Sequence, residues 1–120
     1  MKKIFFSGLL FTALFILSGC GNPPAVVTDD SAIILFYSTE CSHCKVVEKY
    51  IADNNVKARV NFSEKEVGSD KANANLMIKK QKECQLAKAA IGSVPFLWTT
   101  EECFSGSEEI INFFKTKNGA

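Results

Sequence analysis

Hydrophobic and polar positions divide the chain into three parts. Residues 4–17 form an almost unbroken apolar run. Residues 21–31 are more polar, contain two adjacent prolines and show no amphipathic period, which is typical of an extended tether. From residue 32 onward, short apolar runs alternate with charged or glycine-containing breaks. We therefore expect one folded domain over residues 32–118.

The first half of this domain has the pattern of a strand, a helix and a second strand. Residues 32–37 are continuously apolar with branched and aromatic side chains, which predicts a central strand covered on both faces. The next apolar positions recur at helical spacing, at Val46, Val47, Tyr50 and Ile51. Residues 56–62 alternate strictly between apolar and polar positions, which predicts a second strand, parallel to the first.

A second helix is expected after the break at residues 68–70. Asp70 can cap it by accepting hydrogen bonds from the first free N–H groups. Its inward face would contain Leu76, Met77, Lys80, Cys84, Ala87 and Ile91. Whether this helix runs through Cys84 or bends there stays open at this point.

The last part of the domain has the pattern of a hairpin and a closing helix. Residues 94–100 are β-prone, with Pro95 near the start of the run, where a strand tolerates proline. A short partner strand is predicted at residues 103–104. Ser107 can cap the final helix. Its inward residues would be Ile110, Ile111 and Phe114.

Length and charge fit one small domain. The chain has 120 residues, of which 47% are hydrophobic, which is enough for one core and leaves no room for a second catalytic domain. Its 14 basic and 13 acidic residues give a formal net charge of +1, so the chain has no basic footprint for nucleic acid. We therefore expect a monomer without a nucleic-acid partner.

The N-terminal segment has the features of a targeting signal. Two lysines precede the apolar run 4–17, which is short for a membrane-spanning helix, although an uncleaved anchor stays an alternative. The run closes with the tetrapeptide LSGC at residues 17–20, which resembles the bacterial lipobox. The resemblance implies removal of residues 1–19 and a lipid on Cys20. The tether over residues 20–31 would then hold the domain at a bacterial membrane, outside the cytoplasm.

Two of the remaining cysteines, Cys41 and Cys44, lie between the first predicted strand and helix. A bond between residues this close encloses too short a loop to stabilise the fold much. A helix N-terminus, however, offers free N–H groups and a partial positive charge that stabilise a thiolate, the nucleophile of disulfide exchange. We expect Cys41 to attack and the more buried Cys44 to resolve the mixed disulfide. A protonated His43, the only histidine, would add a positive charge near Cys41.

The order of strand, C-x-x-C, helix, strand, helix, Val-Pro strand, short strand and closing helix resembles the thioredoxin-like superfamily, and in its compactness the glutaredoxin-like branch. The resemblance covers residues 32–117. It implies an α/β fold in which a central mixed sheet of about four strands is flanked by about three helices. It also implies that Pro95 is cis and faces the active site, while the backbone of Val94 pairs with an extended substrate segment.

The resemblance further implies the partners of the protein. It predicts a membrane-anchored, extracytoplasmic thiol:disulfide oxidoreductase that exchanges disulfides with exported, cysteine-containing proteins through Cys41 and Cys44. A membrane redox partner would reset the pair, and the exchange needs neither a metal nor an organic cofactor. Whether the protein acts as oxidant, reductant or isomerase stays open, as does the choice of inner or outer membrane.

Cys84 and Cys103 flank the Val94-Pro95 motif and are not part of the minimal family pattern. In an oxidising compartment we expect a structural disulfide between them that clamps the substrate-facing loop. A second redox pair, which relays electrons to Cys41 and Cys44, is the alternative.

Two other functional classes stay open. Small ferredoxin-like metal-binding proteins also hold C-x-x-C between a strand and a helix, where two cysteines bind Cu(I) and His43 or a further cysteine would complete a zinc site. The Val94-Pro95 strand has no role in that class. A tethered, non-catalytic domain is the other alternative, because a fold does not establish an activity.

Overall fold

Four strands and three α-helices form the part of the chain that the computed structural model describes, residues 31–118. The strands are β1 (Ile33–Tyr37), β2 (Ser63–Glu66), β3 (Phe96–Thr99) and β4 (Cys103–Ser105). The helices are α1 (Ser42–Asp53), α2 (Lys71–Glu83) and α3 (Ser107–Lys117), and short 3-10 helices span Val56–Ala58 and Lys88–Ala90. The sheet order is β2-β1-β3-β4, and only the β1–β2 pair is parallel. The predicted mixed α/β sheet is confirmed.

The predicted signal peptide at residues 1–19, the lipidated Cys20 and most of the tether lie outside the described residues and stay predictions. Within residues 31–118, no helix has both the length and the apolar character needed to cross a membrane.

β1 lies at the centre of the sheet, as its apolar sequence predicts. Ile34, Leu35 and Phe36 are all buried because helices pack on both faces of the strand. Ile34 and Phe36 point to the face where they pack with Met77 of α2. Leu35 points to the opposite face and packs with apolar side chains of α1 and α3, among them Val47, Ile51, Ile110 and Phe114.

The strand predicted over residues 56–62 is wrong. A 3-10 helix begins there, and β2 starts only at Ser63, although it is parallel to β1 as expected. The backbone of Asn55 has a φ of 50°, and the N–H of Val60 donates to the carbonyl oxygen of Val56 at 2.9 Å. Val56 and Val60 are therefore both buried. Strict alternation and a helical turn both place residues four apart on one face, so the pattern did not distinguish them.

Parts of α1 and α3 also differ from the prediction. Val46 is 51% exposed, because the buried face of α1 follows Cys44, Val47 and Ile51 instead. The N-cap of α3 is Gly106, with a φ of 88°, and Ser107 is the first helical residue. In α3, Ile110 and Phe114 are buried as predicted.

Asp70 caps α2 as predicted, since its carboxylate accepts from the N–H of Asn73 at 3.0 Å. The helix ends at Glu83, with Cys84 as its C-cap, and does not continue to Ile91. Gln85 follows with a φ of 59°, a left-handed conformation that ends a helix.

Candidate active site

Cys41 lies between β1 and α1, and it is the N-cap residue of that helix. Its backbone N–H donates to the carbonyl oxygen of Ser38 at 3.1 Å, which closes the turn after β1. Its sulfur accepts from the N–H of Cys44 at 3.1 Å. The sulfur therefore takes the capping position in which a negative charge is stabilised by the helix N-terminus, and the first turn of α1 contains no acidic residue that would offset this effect.

The two cysteines differ in their access to solvent. Both are free thiols, and Cys41 is partly exposed whereas Cys44 is buried at 1% exposure. Burial raises the pKa of Cys44 to about 12, and a hydrogen bond with Cys41 and the charge of Cys41 act in the same direction. Cys44 therefore stays a neutral thiol over the physiological range. This asymmetry supports the predicted roles of attacking Cys41 and resolving Cys44.

The Val94-Pro95 segment lies against Cys41. The peptide bond between Val94 and Pro95 is cis, as the resemblance implies. The Cys41 thiol donates to the carbonyl oxygen of Val94 across 3.6 Å, and the carbonyl oxygen of Pro95 accepts from the N–H of Gly106 at 3.1 Å. Within residues 31–118, nothing accepts from the N–H of Val94.

His43 is the second residue of α1 and is exposed. Among the described residues its side chain makes neither a hydrogen bond nor an ion pair. The structure thus places it in the same helical turn as Cys41 and Cys44 but on the solvent side. Its predicted influence on the Cys41 thiolate stays a prediction.

The predicted disulfide between Cys84 and Cys103 is present, with the two Cα atoms 6.2 Å apart. It joins the C-terminal end of α2 to β4. Cys103 pairs with Trp98 within β3, whereas the Val94 carbonyl oxygen that contacts Cys41 precedes that strand. The position of the bond, between the end of α2 and β4, favours the structural role.

A polar residue that sequence analysis did not identify lies behind the Val94 segment. Gln81 of α2 is fully buried. Its side-chain amide donates to the carbonyl oxygen of Ser93 at 2.9 Å and accepts from the N–H of Gly92 at 2.7 Å. The only sequence signal is its place four residues after Met77, on the same face of the helix.

No group of three or more histidine, cysteine, aspartate or glutamate side chains in residues 31–118 is arranged to hold a metal ion. The metal-binding alternative also assumed a ferredoxin-like fold. The described domain does not have the fold on which that alternative was based.

No protein-family model and no curated protein sequence matches the chain. Solved structures of glutaredoxins are among those similar to it. A wheat glutaredoxin has 14% sequence identity and a TM-score of 0.51, over 72% of this chain and 72% of that chain. This chain has a thioredoxin-like fold. A buckwheat glutaredoxin in complex with glutathione has 13% identity and a TM-score of 0.50, over 75% of this chain and 81% of that one.

At such low identity, the similarity shows the fold and not the activity. The glutaredoxin-like form of the thioredoxin-like fold, predicted from the order of elements, is confirmed. Within this fold, a partly exposed thiol and a buried thiol lie one helical turn apart beside a cis proline. This combination supports a thiol redox function.

Proposed function

We propose that the protein is a thiol:disulfide oxidoreductase in which Cys41 attacks and Cys44 resolves. The observation that carries the proposal is the Cys41 sulfur, which is partly exposed, accepts from the N–H of Cys44 at 3.1 Å and lies 3.6 Å from the carbonyl oxygen of Val94. A sulfur in this position has a stabilising donor on one side and an open backbone segment on the other.

In the reducing direction, the Cys41 thiolate attacks one sulfur of a substrate disulfide. The substrate S–S bond breaks, and the leaving sulfur takes up a proton as a thiol. Cys44 then loses its proton and attacks the Cys41 sulfur, which releases the second substrate thiol and leaves a Cys41–Cys44 disulfide. The substrate gains two electrons and two protons, which the cysteine pair loses. In the oxidising direction, a substrate thiolate attacks Cys41 and the same steps run in reverse.

The high pKa of Cys44 fits this sequence of steps. Two of the causes that raise it, a hydrogen bond with Cys41 and the charge of Cys41, depend on a free Cys41 sulfur. Both weaken when Cys41 enters a mixed disulfide, because its sulfur is then uncharged. The rise in the pKa of Cys44 that burial causes remains, but the part that Cys41 causes is removed at the step in which Cys44 must become a thiolate.

The substrate is an extended polypeptide that contains a cysteine. The free N–H of Val94 and its carbonyl oxygen form one donor and one acceptor beside Cys41, which suits the addition of a substrate strand through its main chain. The buckwheat glutaredoxin, which is solved in complex with glutathione, makes glutathione the small peptide to test first. Exported proteins are the proposed natural substrates, and a membrane redox partner resets the pair.

The place of action is proposed from the sequence. The LSGC tetrapeptide after an apolar run supports a lipid on Cys20 and an extracytoplasmic, membrane-anchored domain. Metabolic labelling with a radioactive fatty acid tests this part separately. Label on the natural chain and none on a Cys20→Ala variant is expected, and equal label on both would contradict the anchor.

Trapping of a mixed disulfide tests the activity. A Cys44→Ser variant should accumulate a covalent adduct with a disulfide-bonded peptide at Cys41, because no second thiol can resolve it. A Cys41→Ser variant should form no adduct, since Cys44 is buried. If neither variant forms an adduct and the natural chain exchanges no disulfide, the domain is non-catalytic, and stoichiometric binding of copper or zinc would establish the metal-binding alternative.

A further inference from the structure

Gln81 connects helix α2 to the segment that lies against Cys41. It is fully buried, and both ends of its side-chain amide are used. The nitrogen donates to the carbonyl oxygen of Ser93, and the oxygen accepts from the N–H of Gly92. A buried amide is costly unless it is hydrogen-bonded, so these two bonds hold the chain at residues 92–93 in one position relative to α2.

The other hydrogen bonds of the loop at this point are local, because the N–H and the hydroxyl of Ser93 donate to the carbonyl oxygen of Ala90 at 3.2 and 2.6 Å. Gly92 has a φ of 90°, and no atom lies within 4 Å of the place where a Cβ would be. Packing therefore does not fix this side of the loop. The carbonyl oxygen of Pro95, three residues later, accepts from the N–H of Gly106. Val94 thus lies between two fixed points, the Gln81 amide before it and the Gly106 contact after it.

The helix that carries Gln81 is itself anchored. Cys84 lies three residues after Gln81 and is bonded to Cys103 of β4. Met77, four residues before Gln81, is buried in the core beside Ile34 and Phe36 of β1. The Gln81 amide is therefore held by a rigid support and can transmit its position to the loop.

We propose that Gln81 is a positioning residue for substrate binding. It acts through Gly92, Ser93 and Val94. The proposal rests on the proposed function, because it assumes that substrate pairs with the backbone of Val94. Gln81 touches neither the reacting sulfur nor the substrate. Its amide sets where the N–H and carbonyl oxygen of Val94 stand relative to Cys41, so its loss weakens substrate binding more than it changes the reactivity of the Cys41 thiol.

The test compares two isosteric substitutions on α2 in the full-length protein. Gln81→Met removes the amide that holds the Val94 loop. Asn73→Leu removes a side-chain amide on the same helix, whose nitrogen donates to the carbonyl oxygen of Glu66 at 2.9 Å. We expect Gln81→Met to raise KM for a disulfide-bonded peptide about tenfold with kcat within about twofold, and Asn73→Leu to leave both within about twofold.

Two further measurements separate positioning from general loosening. Gly92 amide exchange should accelerate in Gln81→Met while the amides of β1 keep their protection. The rate at which iodoacetamide alkylates Cys41 should stay within about threefold of that of the natural chain, because this small reagent does not pair with Val94. Should Gln81→Met fail to fold, Gly92→Ala displaces the loop with Gln81 intact, since alanine is strained at that φ, and should also raise KM.

A Gln81→Met variant that folds with unchanged KM overturns the proposal, as does a Gly92→Ala variant with unchanged KM where only that variant folds. An equal rise in KM for Asn73→Leu also overturns it, because the effect would then be one of general stability. If the natural protein itself exchanges no disulfide, that different result refutes the proposed function.

Discussion

The sulfur of Cys41 lies 3.6 Å from the carbonyl oxygen of Val94, although 53 residues separate the two in the chain. The sheet brings them together. β1 and β3 are antiparallel neighbours, with Phe36 opposite Phe96, so the end of β1 meets the start of β3. Cys41 follows the first strand and Val94 precedes the second. The proposed nucleophile and the proposed substrate-binding segment are thus placed side by side by strand pairing.

Cys41 should be alkylated far more readily than Cys44. The pKa of Cys44 is raised to about 12 by burial, so its thiolate fraction at pH 8 is on the order of one in ten thousand. Brief treatment of the reduced protein with iodoacetamide at pH 8, followed by peptide mass spectrometry, should find the label on Cys41 and almost none on Cys44. A Cys41→Ser variant is the control and should stay unlabelled at residue 44. Equal labelling of both cysteines would contradict the assigned roles.

Removal of the second disulfide should reduce stability and spare activity. The Cys84–Cys103 bond spans a sequence separation of 19, for which the chain-entropy estimate is about 3 kcal/mol. A Cys84→Ala/Cys103→Ala double variant should lose about this much free energy of unfolding in urea while keeping peptide turnover within about twofold. Double substitution avoids leaving an unpaired thiol.

The opposite result would identify a redox relay. A double variant with unchanged stability and lost turnover would show that electrons pass through Cys84 and Cys103.

Trp98, the only tryptophan in the chain, pairs with Cys103 across β3 and β4. Its fluorescence should therefore follow the redox state of this disulfide, and a titration with dithiothreitol can separate it from that of Cys41 and Cys44.

Glu66 should make the stability of the fold sensitive to acid. The pKa of its carboxylate is lowered, first by the hydroxyl and then by the backbone N–H of Ser69, which donate at 2.7 and 2.8 Å. A lowered pKa stabilises the folded state at pH values above the ordinary carboxyl value of 4.5, and this contribution is lost as the pH falls through the folded-state pKa. Glu66→Gln should therefore lower Tm at pH 7 and have a smaller effect at pH 3.

The matched control is Glu102→Gln, because the Glu102 side chain is exposed and makes no hydrogen bond within the described range 31–118. Its Tm should follow that of the natural chain at both pH values. If Glu66→Gln lowers Tm equally at pH 3 and pH 7, the charge of the carboxylate is not what the Ser69 contacts stabilise.

His43 should make the cysteine pair more oxidising. A positive charge in the first turn of α1 stabilises the Cys41 thiolate, and with it the reduced form. His43→Ala should therefore shift the reduction potential at pH 6 to more negative values, by about 30 mV if the interaction is worth about 1.4 kcal/mol. Ser42→Ala, at the neighbouring exposed position, should leave the potential unchanged. An unchanged potential for His43→Ala would show that His43 does not influence the Cys41 thiolate.

The sequence was most informative where one physical signal dominates. The continuous apolar run in β1 requires cover on both faces, and Asp70 is a good helix cap wherever the chain can form one. It was misleading where two structures share a pattern, as with Val56 and Val60. It also gave no warning that Val46 would face solvent, because its place on α1 depends on where the neighbouring helices pack.

In the candidate site, too, residues with a local sequence signal could be predicted and residues that depend on tertiary contacts could not. Cys41 and Cys44 could be found from their place between a strand and a helix, because helix dipole and spacing are local properties. Gln81 could not, since its importance depends on the Gly92–Ser93 loop folding back onto α2. Residues that act through tertiary contacts have no local pattern to mark them.

The reduction potential of the Cys41–Cys44 pair tests the central claim most directly. The purified protein is equilibrated in glutathione buffers of graded ratio, quenched with acid, alkylated and analysed by mass spectrometry, with Cys41→Ser as the control. We expect a reversible two-thiol transition that disappears in the control, with a midpoint near −120 to −180 mV for an oxidant or isomerase and about −270 mV or below for a reductant. Absence of a reversible transition in the natural chain would contradict the assignment of a redox function.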